Sequence, residues 1–220
     1  MRANIHGRPA RHARAWLGPS WQVHLTSPVA EQARAALLDW FARGRPAMLC
    51  RRDPGDAPGV ALCVTLPASR WLASIRFTVG RSAIARMAPP VPLAEVIPAA
   101  PPDWRRPLSD LDRAAAEAGV PLSVTGPLAW QHLTGEPYVS DRSSVDLLLR
   151  PRTRRQLEQV IALLRVREDG EGPRLDGEVL LGWDHAVAWR DLANGRRRVL
   201  VKGIDREAVV EVSRLLSVLR

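Results

Sequence analysis

Lysine is nearly missing from this 220-residue chain: Lys202 stands alone beside 31 arginines. Cysteine occurs only at Cys50 and Cys63, with no His or Cys at metal-ligand spacing. That scarcity excludes a disulfide framework, and the pair reads as buried thiols of a cytoplasmic protein. No apolar run nears the ~20 residues a membrane span needs, because Pro and Arg interrupt every candidate. The basic start, Met1-Arg2-Ala3-Asn4-Ile5-His6-Gly7-Arg8, lacks an apolar region behind it, so no secretory signal is expected. What is present is 46% apolar residues, enough to offset the entropy of ordering and to exclude a disordered chain. The length suits one large domain or two small ones with a real core.

The formal charge is +9, from 32 basic and 23 acidic side chains. Much of the arginine bias accompanies abundant Ala, Pro and Gly and suits a GC-rich genome. Arginine also grips phosphate through two parallel bonds, which points to phosphate-rich ligands. Nucleic acid is the rival partner, but no interleaved surface aromatics or recognised binding motif support it. Against a background of arginine, Lys202 either meets a local need for a compact ammonium or is a chance survivor.

The pattern predicts a two-part α+β protein, with a small α+β module over residues 1–105 and a mixed-sheet domain over 106–220. Residues 1–20 read as an irregular lead-in. Ser27-Pro28 starts a helix ended by Gly44, and strands are expected over Pro46–Arg52, Gly59–Leu66 and Trp71–Val79. Seven prolines between Met87 and Pro107 forbid a continuous helix or central strand and predict a linker. A helix over Ser109–Gly119 follows, then a strand to Thr125, a turn at Gly126, and a helix over Pro127–Thr134. Val145–Leu149 is a strand, and Thr153 caps a helix reaching Arg167. Strands are expected at Leu175–Leu181, His185–Trp189 and Arg198–Lys202. Asp205 then caps a last amphipathic helix carrying Val209, Val212, Leu215 and Leu216.

One stretch carries chemistry. Gly126, Trp130, Gln131, Leu133, Thr134, Gly135, Tyr138, Ser143, Asp146, Leu147 and Leu148 match in register, without a gap, a pattern of glycine turn, short helix and acidic strand. In these residues the chain resembles the malonate decarboxylase holo-acyl-carrier-protein synthases, the phosphoribosyl-dephospho-CoA transferases. Arg11-His12, Arg51-Arg52, Leu66-Pro67, Pro89-Pro90, Trp104, Asp176-Gly177-Glu178, Val187-Ala188-Trp189-Arg190 and Leu200-Val201-Lys202 agree in order, so the resemblance covers nearly the whole chain. It implies a nucleotidyltransferase-like domain in the second half. The implied activity transfers a triphosphoribosyl-dephospho-CoA group to a serine of the malonate decarboxylase acyl carrier subunit, releasing pyrophosphate.

The resemblance also implies a metal site. Two carboxylates one residue apart on a strand share a face. With a third from a neighbouring strand they hold divalent cations, Mg²⁺ or Mn²⁺, for phosphoryl transfer. Asp146 and Asp176 are the expected metal and catalytic carboxylates, with Glu178 second to Asp176. The chain departs from the family pattern at two places: Ser144 stands where the first Asp of the pair belongs, and Pro127 replaces the serine of the Gly-Ser turn. Ser144 keeps an oxygen at the catalytic position without its charge, and Asp141 is a loop carboxylate three residues earlier. These departures leave open a relative that binds the carrier or the prosthetic group without transferring it.

Gly126, Arg51, Arg52, His12 and Lys202 are the expected substrate-binding residues. Each has a plainer reading: His12 on a surface arm, the arginine pair on a solvated strand edge, Lys202 as a strand-end cation. Asp176-Gly177-Glu178 reads equally well as an acidic turn. His132 is a packed or exposed histidine, and Trp130 and Trp189 belong to the core. The runs Arg150–Arg155 and Arg196–Arg198 are solvated faces or a docking surface for an acidic carrier protein.

Overall fold

A computed structural model describes residues 11–67, 74–168, 172–182 and 185–220. The chain forms two compact units. The first holds the described residues up to Pro90 together with Ile204–Arg206, and the second holds Val91–Gly203 and Glu207–Arg220. The change of unit therefore falls at Pro90–Val91 instead of near residue 105. The proline-rich segment is not a linker, because its residues pair and pack inside both units.

In the first unit, β1 (Arg14–Leu17), α1 (Glu31–Ala42), β2 (Ala47–Leu49), β3 (Val60–Thr65), β4 (Ser74–Val79) and β5 (Ile84–Ala88) follow in order. The strands form an antiparallel sheet ordered β4-β3-β2-β1-β5. The expected lead-in thus contains a strand with a neighbour on each side. Ala15, opposite Ala47 and Met87, is fully buried. Alternation along β2, β3 and β4 sends Leu49, Leu62 and Phe77 to one face. There Phe41 of α1 meets Phe77 and Trp21, with ring centroids 6.1 and 5.0 Å away. Trp40 buries its ring and donates its indole N–H to the Pro46 carbonyl at 2.9 Å. Ser27 does not cap α1: its hydroxyl accepts the Thr78 N–H at 2.9 Å, and the helix begins at Glu31. The first residues of the predicted strand at Trp71 lie outside the described residues.

The second unit contains β6 (Val91–Pro92), α2 (Leu93–Val96), α3 (Pro102–Glu117), β7 (Ser123–Thr125), α4 (Gly126–Thr134), β8 (Ser144–Leu149), α5 (Arg154–Glu168), β9 (Arg174–Leu181), β10 (His185–Ala188), α6 (Trp189–Ala193), β11 (Arg198–Lys202), β12 (Glu207–Glu211) and α7 (Val212–Leu215). Its sheet runs β12-β11-β10-β9-β8-β7-β6, antiparallel except for the parallel pair β8·β9 that α5 connects. The fold is α+β. α3 starts seven residues earlier than the sequence suggests, with Pro102 in the first turn, where its missing N–H costs nothing. Pro107 lies inside the helix and removes one backbone hydrogen bond, the one to the Asp103 carbonyl. Thr153 does cap α5, its hydroxyl accepting the Gln156 N–H at 3.1 Å. Asp205 caps no helix. Glu207–Glu211 pairs along its whole length with β11, and the chain turns helical from Val212, as an α-helix to Leu215 and a 3-10 turn over Leu216–Val218.

The two faces of this sheet differ. Val145, Leu147, Leu149, Leu175, Val179, Val187, Val199 and Val201 are buried on one. Leu108 and Leu111 of α3 share an apolar hollow there with Leu175. The opposite face carries the polar residues at Ser144, Asp146, Asp176, Glu178 and Lys202, together with a buried apolar cluster of Leu148, Leu180 and Ala186.

Candidate active site on the polar sheet face

β8 alternates Ser144 and Asp146, half-buried, with Val145 and Leu147, fully buried. Strand period alone therefore puts Ser144 and Asp146 side by side on the polar face. The parallel register sets Asp146 opposite Asp176 and Ser144 opposite Arg174. On the other flank, antiparallel pairing sets Thr125 opposite Asp146. Continuing across the sheet, Glu178 faces Ala188, and Ala186 faces Lys202. Thr125, Ser144, Asp146, Asp176, Glu178 and Lys202 thus occupy one face of one sheet. Adjacent strands lie ~4.8 Å apart, so Asp146 and Asp176 are close neighbours.

Gly126 closes the site from the β7 side. Its φ is +69°, and a Cβ there would overlap the Asp146 carboxylate. Only glycine lets the chain turn from β7 into α4 with this carboxylate against its backbone. Pro127 occupies the first turn of α4, a position suited to proline, and leaves no amide hydrogen to offer an anion.

The rest of the α4 motif holds the approach to β8. Gln131 Oε1 accepts the N–H groups of Tyr138 and Val139, both at 3.0 Å. Its Nε2 donates to the Ala99 carbonyl at 2.7 Å. One side chain therefore fixes the loop that delivers Ser144 and Asp146. Gln131→Leu is expected to cost about 1–3 kcal/mol for each amide left without an acceptor. A thermal melt checks this, and an unchanged midpoint would show that the loop holds itself.

Asp176-Gly177-Glu178 is strand interior and not an acidic turn. Asp176 is exposed and accepts the Gly177 N–H at 2.8 Å. Glu178 is only 14% exposed at its side chain and meets Lys202 Nζ at 3.4 Å. The single lysine is thus an ion-pair partner on the site face. Arg190 donates to the Leu175 carbonyl, pairs with Glu168 and lies over the Trp189 ring, which pins β9 next to Asp176. Trp130 and Trp189 are core, at 3% and 0% exposure. From sequence, Arg190 and Gly177 are members of matching blocks with no role of their own, and Thr125 is a strand end. The glycine inside a strand pattern was the available signal, since such a residue marks close backbone approach.

His12, Arg51 and Arg52 belong to the first unit. His12 has φ +64° and donates its N–H to the Leu49 carbonyl at 2.9 Å. Arg51 lies 3.6 Å from Asp53 and Arg52 lies 3.7 Å from Asp205, so each arginine has a carboxylate nearby. Arg52 Nε is buried and has no hydrogen-bond partner among the described residues. The runs at Arg152, Arg154, Arg155 and Arg196–Arg198 are exposed. His132 is half-buried on α4, and Asp141 is exposed in the turn before β8.

Among the described residues no group of three or more His, Cys, Asp or Glu is placed to hold a metal ion. The site face instead offers two carboxylates, Asp146 and Asp176, with the Ser144 hydroxyl beside them. Mg²⁺ commonly binds through one or two carboxylates and completes its octahedron with water and phosphate oxygens, so this donor set fits such an ion. Among the described residues no helix is long and apolar enough to cross a membrane.

Residues 10–90 match the Phosphoribosyl-dephospho-CoA transferase MdcG N-terminal domain, and residues 92–213 match the corresponding C-terminal domain. The phosphoribosyl-dephospho-CoA transferase of Xanthomonas campestris pv. campestris (strain 8004) is 40% identical over 196 residues, covering 89% of this chain and 91% of its own. That of Bradyrhizobium diazoefficiens (strain JCM 10833 / BCRC 13528 / IAM 13628 / NBRC 14792 / USDA 110) is 32% identical over 210 residues, covering 95% and 93%. No solved structure matches. The matched domains meet where the two structural units change over, and together with these relatives they span nearly the whole chain: it belongs to the phosphoribosyl-dephospho-CoA transferase family, a family of transferase enzymes.

Proposed function

We propose that this chain transfers the triphosphoribosyl-dephospho-CoA group to a serine of the malonate decarboxylase acyl carrier subunit, releasing pyrophosphate. The observation that supports this reading best is the register pairing of Asp146 with Asp176 beside the Gly126 turn. It is the arrangement expected for phosphoryl transfer, where positioning and charge do most of the work.

Asp146 and Asp176, with the Ser144 hydroxyl, would hold Mg²⁺ or Mn²⁺, which when bound supplies positive charge to the reacting phosphate and favours ionisation of the acceptor hydroxyl. Gly126, by admitting the Asp146 carboxylate against its backbone, would bring the triphosphate to the start of α4. Lys202, held by Glu178, contributes a point charge on the same face. In the first unit we propose Arg51, Arg52 and His12 as phosphate-binding residues. The carrier serine is the nucleophile, so the chain needs none of its own.

Incubating the apo carrier subunit with the protein, Mg²⁺ and triphosphoribosyl-dephospho-CoA should add the mass of the prosthetic group, less pyrophosphate. A chelator should abolish the gain, and added Mg²⁺ or Mn²⁺ should restore it. No gain, while the Bradyrhizobium relative succeeds in parallel, would overturn the reading.

Ser144 and Pro127 favour a second reading, a relative that binds carrier or prosthetic group without transfer. Ser144→Asp separates the two. If the lost charge limits catalysis, the substitution should raise the transfer rate by on the order of 10²-fold, the scale of one electrostatic contact to developing charge. A rate unchanged from an already active protein would show that the hydroxyl suffices.

A further inference from the structure

Cys50 and Cys63 take no part in the transferase site, and their surroundings are not those of buried structural thiols. Met48 faces Cys63 across β2·β3, and the Cys50 N–H bonds to the Ala61 carbonyl at 3.1 Å. Strand alternation therefore puts both side chains on the face opposite the aromatic core. Each residue is half-buried, and the pairing makes the two cysteines diagonal neighbours on that face. Cys50 lies just past the last residue of β2, so the pair sits at the end of the β2·β3 ladder.

The charges around the pair are unequal in effect. Arg76 of β4 is the register partner of Cys63. Its guanidinium holds Asp53 and Asp56 of the loop after β2, and bonds to the Arg51 carbonyl. The hydrogen bond from Cys63, assisted by Arg76, draws the Cys50 thiol below its ordinary range, against burial and the two aspartates. The same contact and burial push the Cys63 thiol up, so it keeps its proton.

We propose that Cys50 and Cys63 form an oxidant-sensitive dithiol site that closes to an intrachain disulfide on exposure to a peroxide, with Cys50 attacking and Cys63 resolving. In the first step the Cys50 thiolate sulfur bonds to one peroxide oxygen as the O–O bond breaks, giving a sulfenic acid and hydroxide. In the second the Cys63 sulfur displaces the sulfenic hydroxyl, the S–S bond forms as the S–O bond breaks, and the Cys63 proton leaves with the hydroxide as water. Two thiols and one hydrogen peroxide become one disulfide and two waters. The peroxide takes up the two electrons that the sulfurs lose.

The test uses the reduced protein and hydrogen peroxide, with an N-ethylmaleimide quench and intact mass spectrometry. The expected product is a monomer lighter by two hydrogens that takes up no maleimide. Cys63→Ser should stop at a Cys50 sulfenic acid that dimedone traps, whereas Cys50→Ser should leave Cys63 reduced over the same interval. Limiting maleimide on untreated protein should label Cys50 first, by on the order of tenfold, the ratio that one pKa unit gives. Wild-type protein that keeps both maleimide sites, a disulfide between chains, or equal labelling of the two cysteines would overturn the proposal.

Discussion

Gly177→Ala is expected to leave the second unit unfolded or nearly so. Gly177 sits in the middle of β9 opposite Leu147, with φ +133°, which an L side chain rarely adopts. A Cβ there would overlap the carbonyl oxygen of Leu147 and lie 2.6 Å from its amide nitrogen. Neither obstacle is the far end of a flexible side chain, so relief requires β8 and β9 to separate. These strands form the centre of the seven-stranded sheet. The expected cost exceeds about 4 kcal/mol, the range reserved for core disruption. That is much of the roughly 5–15 kcal/mol that holds a domain folded. Gly195→Ala is the control: its φ is +64°, but nothing lies within 4 Å of the new methyl. There only the left-handed penalty applies, about 1–2 kcal/mol. Urea titration followed by tryptophan fluorescence compares the two. Equal midpoints would show that the strands can part without loss.

Asp146→Asn should leave the fold intact and remove transfer. The amide matches the carboxylate in size, so it still fits against Gly126, but it brings no negative charge. A loss of about 10³-fold in the rate of carrier modification is expected, the upper end of what one preorganised electrostatic contact contributes. Asp176→Asn should cost less, because Asp176 is exposed and its charge is partly screened by water. The mass assay on the carrier measures both, with the urea midpoint confirming folding. An Asp146→Asn protein that transfers within a few-fold of wild type would reduce this carboxylate to a mere neighbour of the glycine turn.

The site was legible where local rules act alone. The Gly126 turn, the α4 helix ended by Gly135 at φ +71°, the alternation of β8 and the Thr153 cap all follow from residue type and spacing. The sequence proposes Asp176 as the partner of Asp146, but their register needs the fold, since residues thirty apart carry no local sign of facing each other. Elements that depend on distant partners were misread. β1, with Arg14 and Trp16, lacks a strong apolar alternation, and the Arg86 guanidinium lies 3.5 Å over the Trp16 ring. β12 exposes Val209, so the spacing of Val209, Val212 and Leu215 imitated a helix that pairing with β11 overrules. Ser27 looked like a cap until Thr78, fifty-one residues on, claimed its hydroxyl. The proline-rich stretch was read by its breakers, although Val91, Leu93 and Val96 are all fully buried.

The one parallel ladder also bears on how the protein reaches its working state. Antiparallel neighbours such as β9 and β10 can zip from a short turn, but β8 and β9 can pair only after α5 has carried the chain across the sheet. That closure is a non-local step with its entropy spent before any contact rewards it, so it belongs among the slower events of folding. Asp146 and Asp176 come together only when it is complete. A nascent or partly folded chain holds each carboxylate without the pair, and acquisition of the site becomes a readout of finished folding.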